Sequence, residues 1–265
     1  MRRFLLFLAL AVCISASAAW AAPTLLYAMN DSTNSLYTID PTTYQLTFVG
    51  NTGVGTGDFG DLAYDPGSQT AYWIPGRGND NLYTINLNTG AATLVGAHGI
   101  DDLFAMAFDP ATGKLYADAT SGNFYSLNTS TGAATLIGTN SVYPGGMTYR
   151  AGTGQLILVG AGDGTFWSVN PATGAVTALG NPGFLNDNGV AWDPDKNVFF
   201  VDDWSANLYT VDPTTYQATI VAGLPGPFDG IIYPNNMNTG VPEPGTLLLL
   251  GTGIVGLGSS LRRRK

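Results

Sequence analysis

The sequence predicts an all-β fold, a five-bladed β-propeller with four strands to a blade, on three observations. One unit recurs five times along the chain: Ser35-LYTIDPTTYQLTFV-Gly50, Asn81-LYTINLNTGAATLV-Gly96, Asn123-FYSLNTSTGAATLI-Gly138, Thr165-FWSVNPATGAVTAL-Gly180 and Asn207-LYTVDPTTYQATIV-Ala222. Successive copies start 46, 42, 42 and 42 residues apart, the length of a four-stranded blade. Charged residues are only 11% of the chain and glycine supplies 35 of 265 positions, a composition of many tight turns rather than long surface helices.

Each unit reads as the third and fourth strands of a blade around a tight turn. In Asn170-Pro171-Ala172-Thr173-Gly174, proline presets φ at the second position and glycine takes the left-handed position that closes the hairpin. Tyr44 and Tyr216 stand where the other copies have Gly90, Gly132 and Gly174, so those two turns are expected to differ. A second hairpin lies between copies. Its first strand ends in Leu62-Ala63-Tyr64-Asp65-Pro66, Met106-Ala107-Phe108-Asp109-Pro110, Met147-Thr148-Tyr149-Arg150 or Val190-Ala191-Trp192-Asp193-Pro194. The following strand is of the kind Lys114-Leu115-Tyr116-Ala117.

The ends of the array are complementary. Leu25 to Ala28 reads as a second strand without a first, and Gly230 to Tyr233 as a first strand without a second. Pairing them completes a fifth blade, closes the ring and hides its edges. An open solenoid has no use for a split unit.

Both ends of the chain read as addresses. Arg2 and Arg3, an apolar run from Phe4 to Ile14 and Ala19-Trp20-Ala21 form the pattern of a secretory signal over residues 1–21. A lipoprotein site at Cys13 is the rival reading, but Val12 is not the small residue such sites want. Residues 22–236 are the expected propeller and 237–245 a linker. Residues 246–265 hold a 16-residue apolar run from Thr246 to Leu261 and then a basic end. As a helix the run spans roughly 24 Å, short for a permanent anchor. The basic cluster would stay cytoplasmic and leave the body outside.

Pro242-Glu243-Pro244, a short apolar span and Arg262-Arg263-Arg264, in that order, resemble the PEP-CTERM sorting tail. The resemblance implies recognition and cleavage by an exosortase at the membrane and delivery to the cell surface or extracellular matrix. It further implies a Gram-negative bacterium that makes exopolysaccharide. It covers about the last 25 residues and says nothing of the body.

Charge excludes one class of partner. Six of the ten basic residues sit at the two ends, so the body keeps Arg77, Lys114, Arg150 and Lys196 against 18 aspartates, a net −14. Phosphate backbones need the opposite sign, so nucleic acid is not expected. Cys13 is the sole cysteine, which leaves the body without disulfide or thiol chemistry.

The loops before the first strand and between the second and third of each blade share one face of a propeller. Twelve of the aspartates fall there; the other six mostly begin Asp-Pro turns, where the carboxylate accepts backbone N–H groups. Those before the innermost strand recur as Asp58 and Asp61, Asp101 and Asp102, Asn186 and Asp187, and Asp229, expected to ring the channel mouth. Such a ring suits a hard cation such as Ca²⁺, with six to eight oxygen ligands. The plainer reading is solvated loop aspartates, since no dense Asp-x-Asp-x-Asp run occurs.

Two aromatic sets, Tyr37, Tyr83, Tyr125, Trp167, Tyr209 and Tyr64, Phe108, Tyr149, Trp192, Tyr233, follow the repeat and are expected to pack between blades. Trp73, Tyr143 and Trp204 break it on the acidic face and are the candidates for stacking on a glycan.

Catalysis finds little material. His98 is the sole histidine, no nucleophile motif accompanies it, and the body holds no cysteine or glutamate. The expectation is a non-catalytic surface or matrix module binding polysaccharide, a cation or a protein, with no cofactor. A hydrolase or lyase acting on extracellular glycans through an aspartate pair is the alternative.

Overall fold

Alternating apolar runs of four to seven residues, separated by glycine and aspartate turns, fold here as antiparallel strands. The computed structural model describes residues 24–55, 58–183 and 187–234, and these form five four-stranded sheets. Within each blade the strands meander outward from the axis. The innermost strands are Asp61–Asp65, Leu103–Asp109, Pro144–Arg150, Asp187–Asp193 and Phe228–Ile232, and each packs on the next around a closed ring. The blade closed by the two ends is numbered one; blades two to five follow in chain order.

Closure is as the split unit requires. Leu26–Asn30 pairs antiparallel with Phe228–Ile232, Tyr27 opposite Ile232 and Ala28 opposite Ile231. The apolar side chains divide into five clusters, one per blade interface, so no blade buries its faces alone. Both recurrent aromatic sets pack in these clusters: Tyr125 and Phe108 between blades two and three, Tyr209 and Trp192 between blades four and five. Every third-and-fourth-strand hairpin carries a register shift at one repeat position, as between Leu82 and Tyr83 and between Leu208 and Tyr209. These bulges add twist at the outer edge and discourage further pairing there.

The third-to-fourth turns do not differ as expected. Tyr44 (φ 59°) and Tyr216 (φ 56°) adopt the left-handed conformation of Gly90, Gly132 and Gly174, and each amide closes its turn on Asp40 or Asp212. The strain, roughly 1–2 kcal/mol for a non-glycine residue, is offset by burial of the ring. Tyr216 packs into the cluster between blades four and five, over the space that Gly180 leaves open, 5.4 Å from Phe166.

The expected signal at 1–21, the whole 237–245 linker with Pro242 to Pro244, and the sorting tail at 246–265 with Arg262 to Arg264 lie outside the described residues. Among the described residues no helix is long and apolar enough to cross a membrane.

Candidate functional site

Strand convergence at the axis dictates the centre of the molecule. Gly146, Gly189 and Gly230 occupy one position on three innermost strands; a Cβ on Gly146 or Gly230 would collide with backbone of a neighbouring strand, and one on Gly189 would crowd it at 3.0 Å. Ala105 holds that position in blade three and Asp61 in blade two. The Asp61 carboxylate therefore projects into the middle of the ring. Its Oδ1 accepts from Leu62 N at 2.7 Å, and its Oδ2 from Met106 N at 2.7 Å and Met147 N at 3.1 Å. One side chain thus joins three blades and plugs the axis.

This corrects the expectation for Asp61. It lies beneath the channel mouth, fully buried, and its lone pairs face amides rather than a ligand. Burial pushes its carboxyl well above the usual range, with the three amides pulling the other way.

The remaining candidates spread over the aspartate face. Asp102 accepts from Arg77 Nε at 3.1 Å, Asp58 lies 3.9 Å from the same guanidinium, and Asp101 is exposed. Asp229 is 3% exposed, with Oδ2 unpartnered. Its carboxyl is pushed well up, first by burial and then by Asp31. Asn186 and the side chain of Asp187 lie outside the described residues. Among the described residues no group of three His, Cys, Asp or Glu side chains is gathered closely enough to hold a metal ion.

Sequence reasoning passed over Asp202. It is 0% exposed and neither oxygen meets a donor in full hydrogen-bond geometry, although the Gly189 and Asp202 amides lie near enough to favour its charge. Burial and then Asp203 drive its carboxyl well up. The sequence does hold a signal. Asp202 and Asp118 occupy the repeat position of Met29, Ile74 and Val159, an apolar slot in the other blades. Asp118 is also buried and burial raises it to about 7, opposed by a 2.6 Å hydrogen bond from Asn140 Nδ2.

Above these carboxyls lies an aromatic row. Trp204 stacks on Phe59 (4.9 Å, 25°), Phe59 on Phe104 (5.3 Å, 30°), and Phe104 meets Tyr143 edge-on (6.1 Å, 89°). The row carries residues from blades five, two, three and four across the axial mouth. Arg77 sits 5.0 Å from the Phe59 ring and 5.3 Å from Phe104. Phe59 holds its place at φ 63°, its amide donating to Asp31 Oδ1 at 3.1 Å.

Trp204 is 42% exposed and Tyr143 48%, so both candidate stacking residues offer ring surface to solvent. Trp73 does not. It is 1% exposed, packed in the cluster between blades one and two and against Tyr83, because both faces of its strand are covered by neighbouring blades, Tyr72 and Ile74 being buried on the other side.

The opposite face follows turn chemistry. Asp40, Asp65, Asp109, Asp193 and Asp212 each accept backbone N–H groups of their own turns at 2.7–3.1 Å. His98 is buried, its Nδ1 accepting from Ile100 N at 3.2 Å, and burial lowers it to about 4, so the ring is neutral.

Residues 240–265 match the PEP-CTERM protein-sorting motif. The chain carries an exosortase sorting tail. It is an exported protein whose membrane-anchored precursor is sorted to the cell surface. Residues 9–107 match a domain of unknown function, DUF4394. No curated protein matches the chain. Among solved structures it is similar to a chain in the crystal structure of a nidogen/laminin complex, at 18% identity and TM-score 0.56, over 79% of this chain and 80% of that one. It is also similar to a protein of unknown function from Bacteroides thetaiotaomicron VPI-5482, at 19% identity and TM-score 0.58, over 81% of this chain and 63% of that one. At such identities the likeness is one of fold.

Proposed function

We propose that the propeller is a non-catalytic binding module that holds extracellular polysaccharide on its aspartate face. The observation that supports this reading is the row from Trp204 through Phe59 to Tyr143. It places two solvent-facing rings at its ends and hydrogen-bonding carboxylates, Asp58 and Asp102, at its side. Sugar rings present C–H faces that stack on aromatic surfaces and hydroxyls that donate to carboxylates. The acidic field disfavours anionic glycans, so neutral or cationic polymers are the substrates of choice.

The hydrolase reading draws less support. Burial raises Asp118 to about 7, the range of a general acid, but its own carboxyl is fully buried beneath Asn140, away from any substrate.

Glycan-array binding by the purified protein tests the proposal. Trp204→Ala should weaken the best hit roughly tenfold, the loss of about 1.4 kcal/mol, while Asp58→Asn and Asp102→Asn lower affinity and no variant changes glycan length. A blank array removes the proposal, and glycan cleavage lost in either Asp→Asn variant replaces it with the enzyme.

A further inference from the structure

The axis has a second mouth, on the turn face, and it is built differently. Tyr64, Phe108, Tyr149, Trp192 and Tyr233, one ring from each blade, surround a cavity of about 70 Å³, and Pro66, Pro110 and Pro194 extend its rim. A single water-sized group needs roughly 10–15 Å³, so the space admits about five such groups, the size of a proline ring. Trp192 Nε1 is buried and has no hydrogen-bond acceptor. Arg150 lies over the Trp192 ring at 4.9 Å and forms no ion pair with the described carboxylates, whereas Lys196 is held by the Pro41 carbonyl and Thr42.

Rings flanked by a free indole N–H form the seat that extended proline-rich segments occupy, since such backbone keeps its carbonyls unbonded. The sequence of the chain supplies a proline-containing stretch. Tyr233 is itself part of the ring, and Pro242-Glu243-Pro244 begins nine residues further on, a contour of roughly 30 Å.

We propose that this funnel seats the chain's own Val241-Pro242-Glu243-Pro244 segment, prolines against the rings and Glu243 toward Arg150, shielding the sorting motif until the processing enzyme draws it out. A short tether sets an effective concentration in the millimolar range, so a millimolar intrinsic affinity fills the seat about half the time. The proposal uses the face opposite the glycan row and stands apart from that reading.

Cysteine cross-linking of the full-length chain carrying Cys13→Ser tests it. Thr148 lines the funnel, and Ser130 lies exposed on a third-to-fourth turn at the rim of the same face. Under mild oxidation the pair Thr148→Cys with Val241→Cys should bridge at least tenfold faster than Ser130→Cys with Val241→Cys. Glu243→Arg should slow the fast pair several-fold, and adding Arg150→Glu should restore it. Equal rates for the two pairs, as a freely moving tail or a funnel reserved for a soluble ligand would give, overturn the proposal. Failure of Arg150→Glu to rescue does the same.

Discussion

The two faces of this propeller use aspartate in opposite ways. On the turn face most carboxylates meet backbone donors in their own turns, and where these are exposed the amides of Thr43 and Thr42 hold Asp40, like those of Thr215 and Thr214 on Asp212, below the usual carboxyl range; Asp193, buried with one oxygen unpartnered, is the exception and burial raises it. On the other face Asp202, Asp229 and Asp118 are buried with at least one oxygen each unpartnered, and burial drives all three up. The side chain is the same; donors and solvent decide whether it stabilises the fold or opposes it. Residues that oppose folding concentrate beneath the aromatic row, the place where a binding site is proposed.

The largest expected effect is at Asp61, a fully buried carboxyl whose donors come from three blades. Asp61→Ala strands three buried amides from three blades and should cost about 3 kcal/mol or more in urea unfolding. If the loss is no greater than for a surface aspartate, the axis is not held by this side chain.

Asp202→Leu should act in the opposite direction. The slot is apolar in three other blades, so replacing an unpartnered carboxyl there should stabilise the protein by about 1–3 kcal/mol at pH 8, and by less at pH 4, where the acid is already neutral.

The same contrast sets the pH dependence. Asp118, Asp202 and Asp229 have raised folded-state values, so the native chain binds more protons than the unfolded one. Their stabilising contribution is complete below the unfolded value of about 3.9 and declines as pH rises, for Asp118 through about 7. Asp40 and Asp212 do the reverse, contributing above that value and fading as pH falls through their lowered ones. Thermal melts should therefore show the highest midpoint near pH 4–5 and a decline toward pH 8; a flat profile would erase the difference between the faces.

The smallest effect belongs to the turns. Asp212→Ala removes the acceptor for the Thr214 and Thr215 amides in an exposed loop and should show only as a slightly lower midpoint in thermal melts.

The contrast also separates what is legible along the chain from what only the assembled ring reveals. Ring closure through Tyr27 and Ile232, the blade count and the turn role of the Asp-Pro aspartates all follow from local periodicity repeated five times. Trp73 breaks the repeat without reaching solvent, because neighbouring blades cover both faces of its strand and only packing of whole blades reveals that. Asp61 was misplaced because the narrowness of the axis is a property of five strands meeting, written in no one of them. The row of Trp204, Phe59, Phe104 and Tyr143 draws on four blades and has no signature along the chain.

Carbon-13 titration of the aspartate carboxyls from pH 2.5 to 8 tests the difference between the faces most directly. Asp118 should titrate near 7, Asp202 and Asp229 should remain protonated well above pH 4, and Asp40 and Asp212 should ionise below 3.8. A single cluster of values around 3.8 for both faces would contradict the account.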